Sequence, residues 1–146
     1  MIIRGGLLAL PGEREPVRAD LRVEDGRIAA IVRTDPSDPT ASPGPRATAT
    51  AAPGSGHVID ADGMLVLPGA IDPHVHFDDP GYTDREDFAH GTAAAASGGV
   101  TMVIDMPSTS VPPVTSAANL RAKLAEVGPK AVVDFGFFGG ISSQVL

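Results

Sequence analysis

The chain has 146 residues, 11 basic and 18 acidic side chains, and a formal net charge of -7. Its length fits one domain, and an apolar share of 42% is enough for a packed core. The acidic balance argues against a nucleic-acid partner, because nothing here would neutralise a run of phosphates. The absence of cysteine excludes disulfides, thiolate metal sites and Cys nucleophiles, which leaves His, Asp and Glu as metal ligands.

Taken in chain order, the first third reads as short strands. Residues 2–4 and 7–10 flank Gly5-Gly6, and residues 19–23 alternate polar and apolar, the mark of a half-buried strand. Asp25-Gly26 is a hairpin signal, with residues 28–32 as the return strand. So small a β-meander needs a partner surface. The apolar start reads as a strand and not as a leader, and no apolar run approaches the roughly 20 residues of a membrane span. The expectation is a cytoplasmic protein with no membrane partner.

Residues 34–56 are a low-complexity stretch of Pro, Ala, Ser, Thr and Gly, expected to form a surface loop. Strand pattern resumes at Val58-Ile59-Asp60 and in the apolar run 64–67, which Pro68-Gly69 stops. Residues 70–77 read as a further strand. Thr83 with Glu86 forms a capping-box pattern, so a helix of about four turns is predicted from there to Gly98-Gly99, with Asp84, Glu86 and Asp87 in its first turn. An apolar strand follows over 100–104, closed by Asp105-Met106-Pro107. Ser116 caps a second helix over 117–127, and 131–138 reads as a buried strand. The order β-α-β-α-β with apolar strands predicts a parallel sheet. A (β/α)₈ barrel takes about 200 residues or more, so the chain reads as the first part of something larger.

The chemistry-bearing stretch is Pro68-Gly69-Ala70-Ile71-Asp72-Pro73-His74-Val75-His76-Phe77-Asp78-Asp79-Pro80-Gly81. On a strand, Asp72, His74 and His76 share one face, and Ile71, Val75 and Phe77 the other. Two imidazoles at i,i+2 can reach one divalent ion from a rigid backbone. A strand end of this kind is where α/β active sites sit. On a strand buried on both faces, such histidines need partners, which weighs against a solvated pair. Asp72 either orients an imidazole or makes a structural hydrogen bond. His57, in the loop, and His90, on the first helix, carry no catalytic expectation. Tyr82 reads as a surface residue and Thr101 as packing.

These residues, together with Glu86-Asp87-Phe88, Gly91-Thr92, Gly98-Gly99-Val100-Thr101 and Asp105-Met106-Pro107, resemble the cyclic amidohydrolases: allantoinase, dihydroorotase and hydantoinase. The resemblance covers nearly the whole chain outside 34–56. It implies α/β architecture, with residues 1–66 as strands of a small β-sandwich domain. Residues 67–146 would be the first three strands and two helices of a (β/α)₈ TIM barrel. It implies a binuclear centre, two zinc ions per full-length subunit, with His74 and His76 on one metal. A carboxylated Lys, further His and an Asp base are expected beyond Leu146. The implied reaction is hydrolysis of a small cyclic amide by a metal-activated water, in a homo-oligomer. Dihydroorotases usually carry Arg two residues after the second His and Asn after Met-Pro, both on the substrate carboxylate. Here those substrate-binding positions are Asp78 and Ser108. An anion at 78 is expected to repel a carboxylate, and residues 134–140 resemble allantoinases, so a ureide or hydantoin ring is the expected substrate. Dihydroorotase, and a non-catalytic scaffold subunit that has lost ligands, stand as alternatives.

Overall fold

The computed structural model describes residues 1–34 and 57–141. The low-complexity stretch expected to be a loop thus lies, from residue 35 to 56, outside the described residues. The chain divides into two compact units, Met1–Pro68 and Gly69–Leu146.

In the first unit, strands β1 (Ile2–Leu8), β2 (Val17–Glu24) and β3 (Arg27–Arg33) form the expected antiparallel meander. Asp25 and Gly26 both take positive φ, 49° and 71°, the twist a two-residue hairpin needs. The meander does not stand alone. Strands β4 (Val58–Asp60) and β5 (Leu65–Val66) both pair parallel to β1, one after the other along its free edge. The Gly5-Gly6 pair does not break β1 but bulges it, with the Gly5 N–H donating 2.8 Å to the Asp20 carboxylate.

In the second unit, strands β6 (Ala70–Val75), β7 (Val100–Asp105) and β8 (Asp134–Phe137) lie in the order β6-β7-β8, all parallel. Helices α1 (Phe88–Ser97) and α2 (Ala117–Val127) connect them. The core is Phe77, Phe88, Val103 and Val127, with Val75, Phe135 and Phe137 packed against it. Phe88 is its hub, with the rings of Phe77, Phe135 and Phe137 at 5.1, 5.5 and 5.9 Å.

Three local expectations need correction. Helix α1 starts at Phe88, capped by Asp87, so Thr83 is not its cap and Asp84 and Glu86 precede it. The reason is competition: Thr83 is taken up in a turn in which the Arg85 N–H donates to the Tyr82 carbonyl. The Asp87 carboxylate accepts the His90 N–H at 2.8 Å, and Asp79 accepts the Phe88 N–H. Strand β6 ends at Val75, two residues early: its pairing with β7 is interrupted between Asp72 and Val75, where Pro73 has no N–H and the His74 N–H turns to Asp72, and past Val75 the Phe77 N–H goes to the Asp105 side chain and not to a strand carbonyl. Ile71 does not share the burial of Val75 and Phe77 but is exposed. Helix α2, with Ser116 as cap, stands as expected.

Gly91 is set by packing. A Cβ there would overlap the Phe77 ring. Glycine to alanine in a helix ordinarily gains about 1 kcal/mol. Here overpacking against an aromatic ring is expected to reverse the sign, with Gly91→Ala destabilising by about 1–3 kcal/mol in urea denaturation. A stabilised variant would show that α1 stands off Phe77.

Candidate metal centre

Strand β6 carries His74, and His76 lies one residue beyond its end. Their Nε2 atoms are 3.2 Å apart, with ring centroids at 5.1 Å and planes at 60°. Two nitrogens about 2.0–2.1 Å from one tetrahedral ion would lie roughly 3.3 Å from each other, so the pair fits as two ligands of a single divalent ion. The same separation also serves a ring-to-ring hydrogen bond when one Nε2 carries the proton and the other accepts. Both residues are exposed on the three-stranded sheet, so burial on both faces, expected from the sequence, does not hold among the described residues. Nor does any third His, Asp or Glu among them complete a metal-holding group.

The remaining predicted residues do different things. Asp72 accepts the His74 backbone N–H at 3.1 Å. Asp78 is buried, and its carboxylate meets Arg85 Nε at 3.3 Å. Arg85 in turn lies over the Tyr82 ring. The expected bare anion at position 78 is therefore charge-compensated, and a repulsion argument from it loses most of its force. Ser108 is exposed in the segment between β7 and α2. His57 is exposed, and Thr101 is exposed above Gly69, where a Cβ would overlap its side chain.

The ionic pairing of five charged residues was not anticipated. Asp79 is fully buried, and Lys130 Nζ reaches it at 3.0 Å and Glu126 at 2.7 Å. Those two carboxylates raise the Lys130 pKa. Asp105 and Lys123 form an ion pair with side chains 0% and 1% exposed. Signals existed for both. Asp105 is a charge closing an apolar strand, and Lys123 sits four residues before the buried Val127, on the inward face of α2.

His90 and Asp87 form an exposed pair at the start of α1, with His90 Nδ1 2.8 Å from the carboxylate. Hydrogen bonding to Asp87 raises the His90 pKa above its ordinary 6.5. Hydrogen bonds from His90 lower Asp87 below its ordinary 3.8. The His90 contribution to stability is therefore full below pH 6.5 and lost as pH rises through the raised value. The Asp87 contribution is present above 3.8 and lost as pH falls through the lowered one. Helix α1 should accordingly fray at its start on moving from pH 6 to pH 9, read as a fall in the amide protection factors, corrected for the intrinsic rise of exchange with pH, at residues 88–91. Unchanged protection factors, or a His90 titration at its ordinary value, would contradict the pairing.

No helix among the described residues is long and apolar enough to cross a membrane. Residues 65–143 match the amidohydrolase family. Allantoinase from Rubrobacter xylanophilus is 42% identical over 141 residues, which are 97% of this chain and 27% of that protein. Dihydroorotase from Methanosarcina acetivorans is 47% identical over 88 residues, 60% of this chain and 19% of that one. Among solved structures, the L-hydantoinase (dihydropyrimidinase) of Arthrobacter aurescens superposes with a TM-score of 0.73 at 34% identity, covering 95% of this chain and 27% of that chain. The chain thus spans about a quarter of the length of the curated relatives it matches, and its fold is that of an N-terminal part of the TIM-barrel amidohydrolase fold of the hydantoinases. With more than half of its length matched by the family, this chain belongs to the amidohydrolases.

Proposed function

We propose that the protein built on this chain hydrolyses a ring C–N bond of a cyclic ureide, as an allantoinase does, and that His74 and His76 are ligands of its divalent metal centre. The observation that carries this is the convergence of two Nε2 atoms to 3.2 Å at the C-terminal end of a parallel strand, in a chain 42% identical to an allantoinase. Zinc, two ions per subunit, is the proposed metal. A bound divalent cation would polarise the ring carbonyl and lower the pKa of a water. The chain's own part is positional. Strand β6 fixes one imidazole, and the turn of backbone after Val75 brings the second alongside it. The remaining ligands and the proton-transferring base are proposed to come from residues outside this chain, and the whole is proposed to work as a cytoplasmic homo-oligomer.

Dihydroorotate is the second reading, favoured by the 47% identity over 88 residues. Position 78 separates the two. In place of a guanidinium it offers a carboxylate already neutralised by Arg85, which neither clamps nor strongly repels a substrate anion. Losing a bidentate charged contact costs roughly 2–5 kcal/mol, or about 30-fold or more in kcat/KM. The full-length enzyme is therefore expected to favour allantoin or a hydantoin over dihydroorotate by at least that ratio. A preference for dihydroorotate would overturn the ureide reading and leave ring-amide hydrolysis standing.

A further inference from the structure

Strand β6 leaves its ladder at Val75, yet His76 comes afterwards. Something other than β pairing must hold that backbone if the second imidazole is to stay beside the first. The contacts at this end of the sheet converge on Asp105. Its Oδ1 accepts the Phe77 N–H at 2.9 Å, and the Met106 N–H next to it donates 2.9 Å to the Val75 carbonyl. His76 is thus pinned from both sides. The Asp105 carbonyl also accepts the Phe138 N–H at 3.0 Å, so one residue joins the ends of all three strands. Its other carboxylate oxygen is taken by Lys123, whose ammonium lies 5.8 Å from the Phe88 ring centre and 5.2 Å from that of Phe137. The pair is buried, so Asp105 has no water to turn to and one orientation to keep.

We infer that Asp105 is a positioning residue for His76: its side chain replaces the missing ladder partner, and Lys123 on α2 locks it in place. The inference rests on the metal reading above and extends it to residues that touch neither metal nor substrate. It makes α2 and β7 part of the site's support, because the carboxylate that orients the His76 backbone is itself aimed by a helix side chain.

Two double variants separate positioning from stability. Asp105→Asn with Lys123→Met keeps an acceptor for the Phe77 N–H and removes both charges. Asp105→Leu with Lys123→Met removes the charges and the acceptor together. Zn²⁺ affinity is measured in both, well below their melting temperatures, with His74→Ala/His76→Ala as reference. The Asn double is expected to stay within about threefold of the parent, and the Leu double to bind about 10–100-fold more weakly. Hydrogen exchange at the Phe77 amide, read without added metal, should quicken only in the Leu double. Equal Zn²⁺ affinity in the two doubles, or an unchanged Phe77 amide in the Leu double, overturns the inference and spares the metal reading. Full Zn²⁺ binding by the His74→Ala/His76→Ala protein overturns both.

Discussion

Replacing His74 and His76 with alanine is expected to lower Zn²⁺ affinity by more than 100-fold while leaving the fold intact. The stability half follows from exposure. Both imidazoles lie on the outside of the described unit, so their loss opens no cavity, and surface substitutions of this kind stay within about 0.5 kcal/mol. The binding half follows from geometry. Two nitrogens 3.2 Å apart chelate, and chelation is lost with either partner, so each single variant should show most of the effect of the double. Isothermal titration of the four proteins gives the cycle. Additive single losses would mean that the rings bind separately, and an unaffected double variant would remove the pair from the metal site.

Lys123→Met should destabilise the protein by about 3–5 kcal/mol, because it leaves the Asp105 carboxylate buried with no counter-charge. That is a large fraction of a typical domain's 5–15 kcal/mol. The methionine itself fits a site lined by Phe88 and Phe137, so lost packing adds little. Adding Asp105→Asn should recover most of the loss, since both charges are then gone. Urea denaturation of the parent, single and double variants measures this. A Lys123→Met loss under 1 kcal/mol would show that the carboxylate reaches water.

What the sequence disclosed follows from the range of the forces involved. Helix α2 was legible because its cap, Ser116, and its stop, Gly128, act on neighbours. The parallel order of β6, β7 and β8 was legible from apolar runs closed by Gly-Gly and Met-Pro. That His74 and His76 share a side followed from their i,i+2 spacing, whereas the backbone contacts that hold His76 beyond the end of β6 did not. The start of α1 did not follow, because three acidic residues and a threonine compete within five positions. Asp79, from nine residues upstream, helps settle the contest by accepting the Phe88 N–H. The compensation of Asp78 by Arg85 was hidden for the same reason. The Asp105 bonds span 18 residues to Lys123 and 28 to Phe77, and no local pattern carries such pairings.

The most direct measurement on the metal centre is anomalous scattering from crystals grown with zinc. The account predicts a peak about 2.0–2.1 Å from Nε2 of both His74 and His76. A peak on one ring only, on an Nδ1 atom, or on other side chains while the two Nε2 atoms bond to each other, would contradict it.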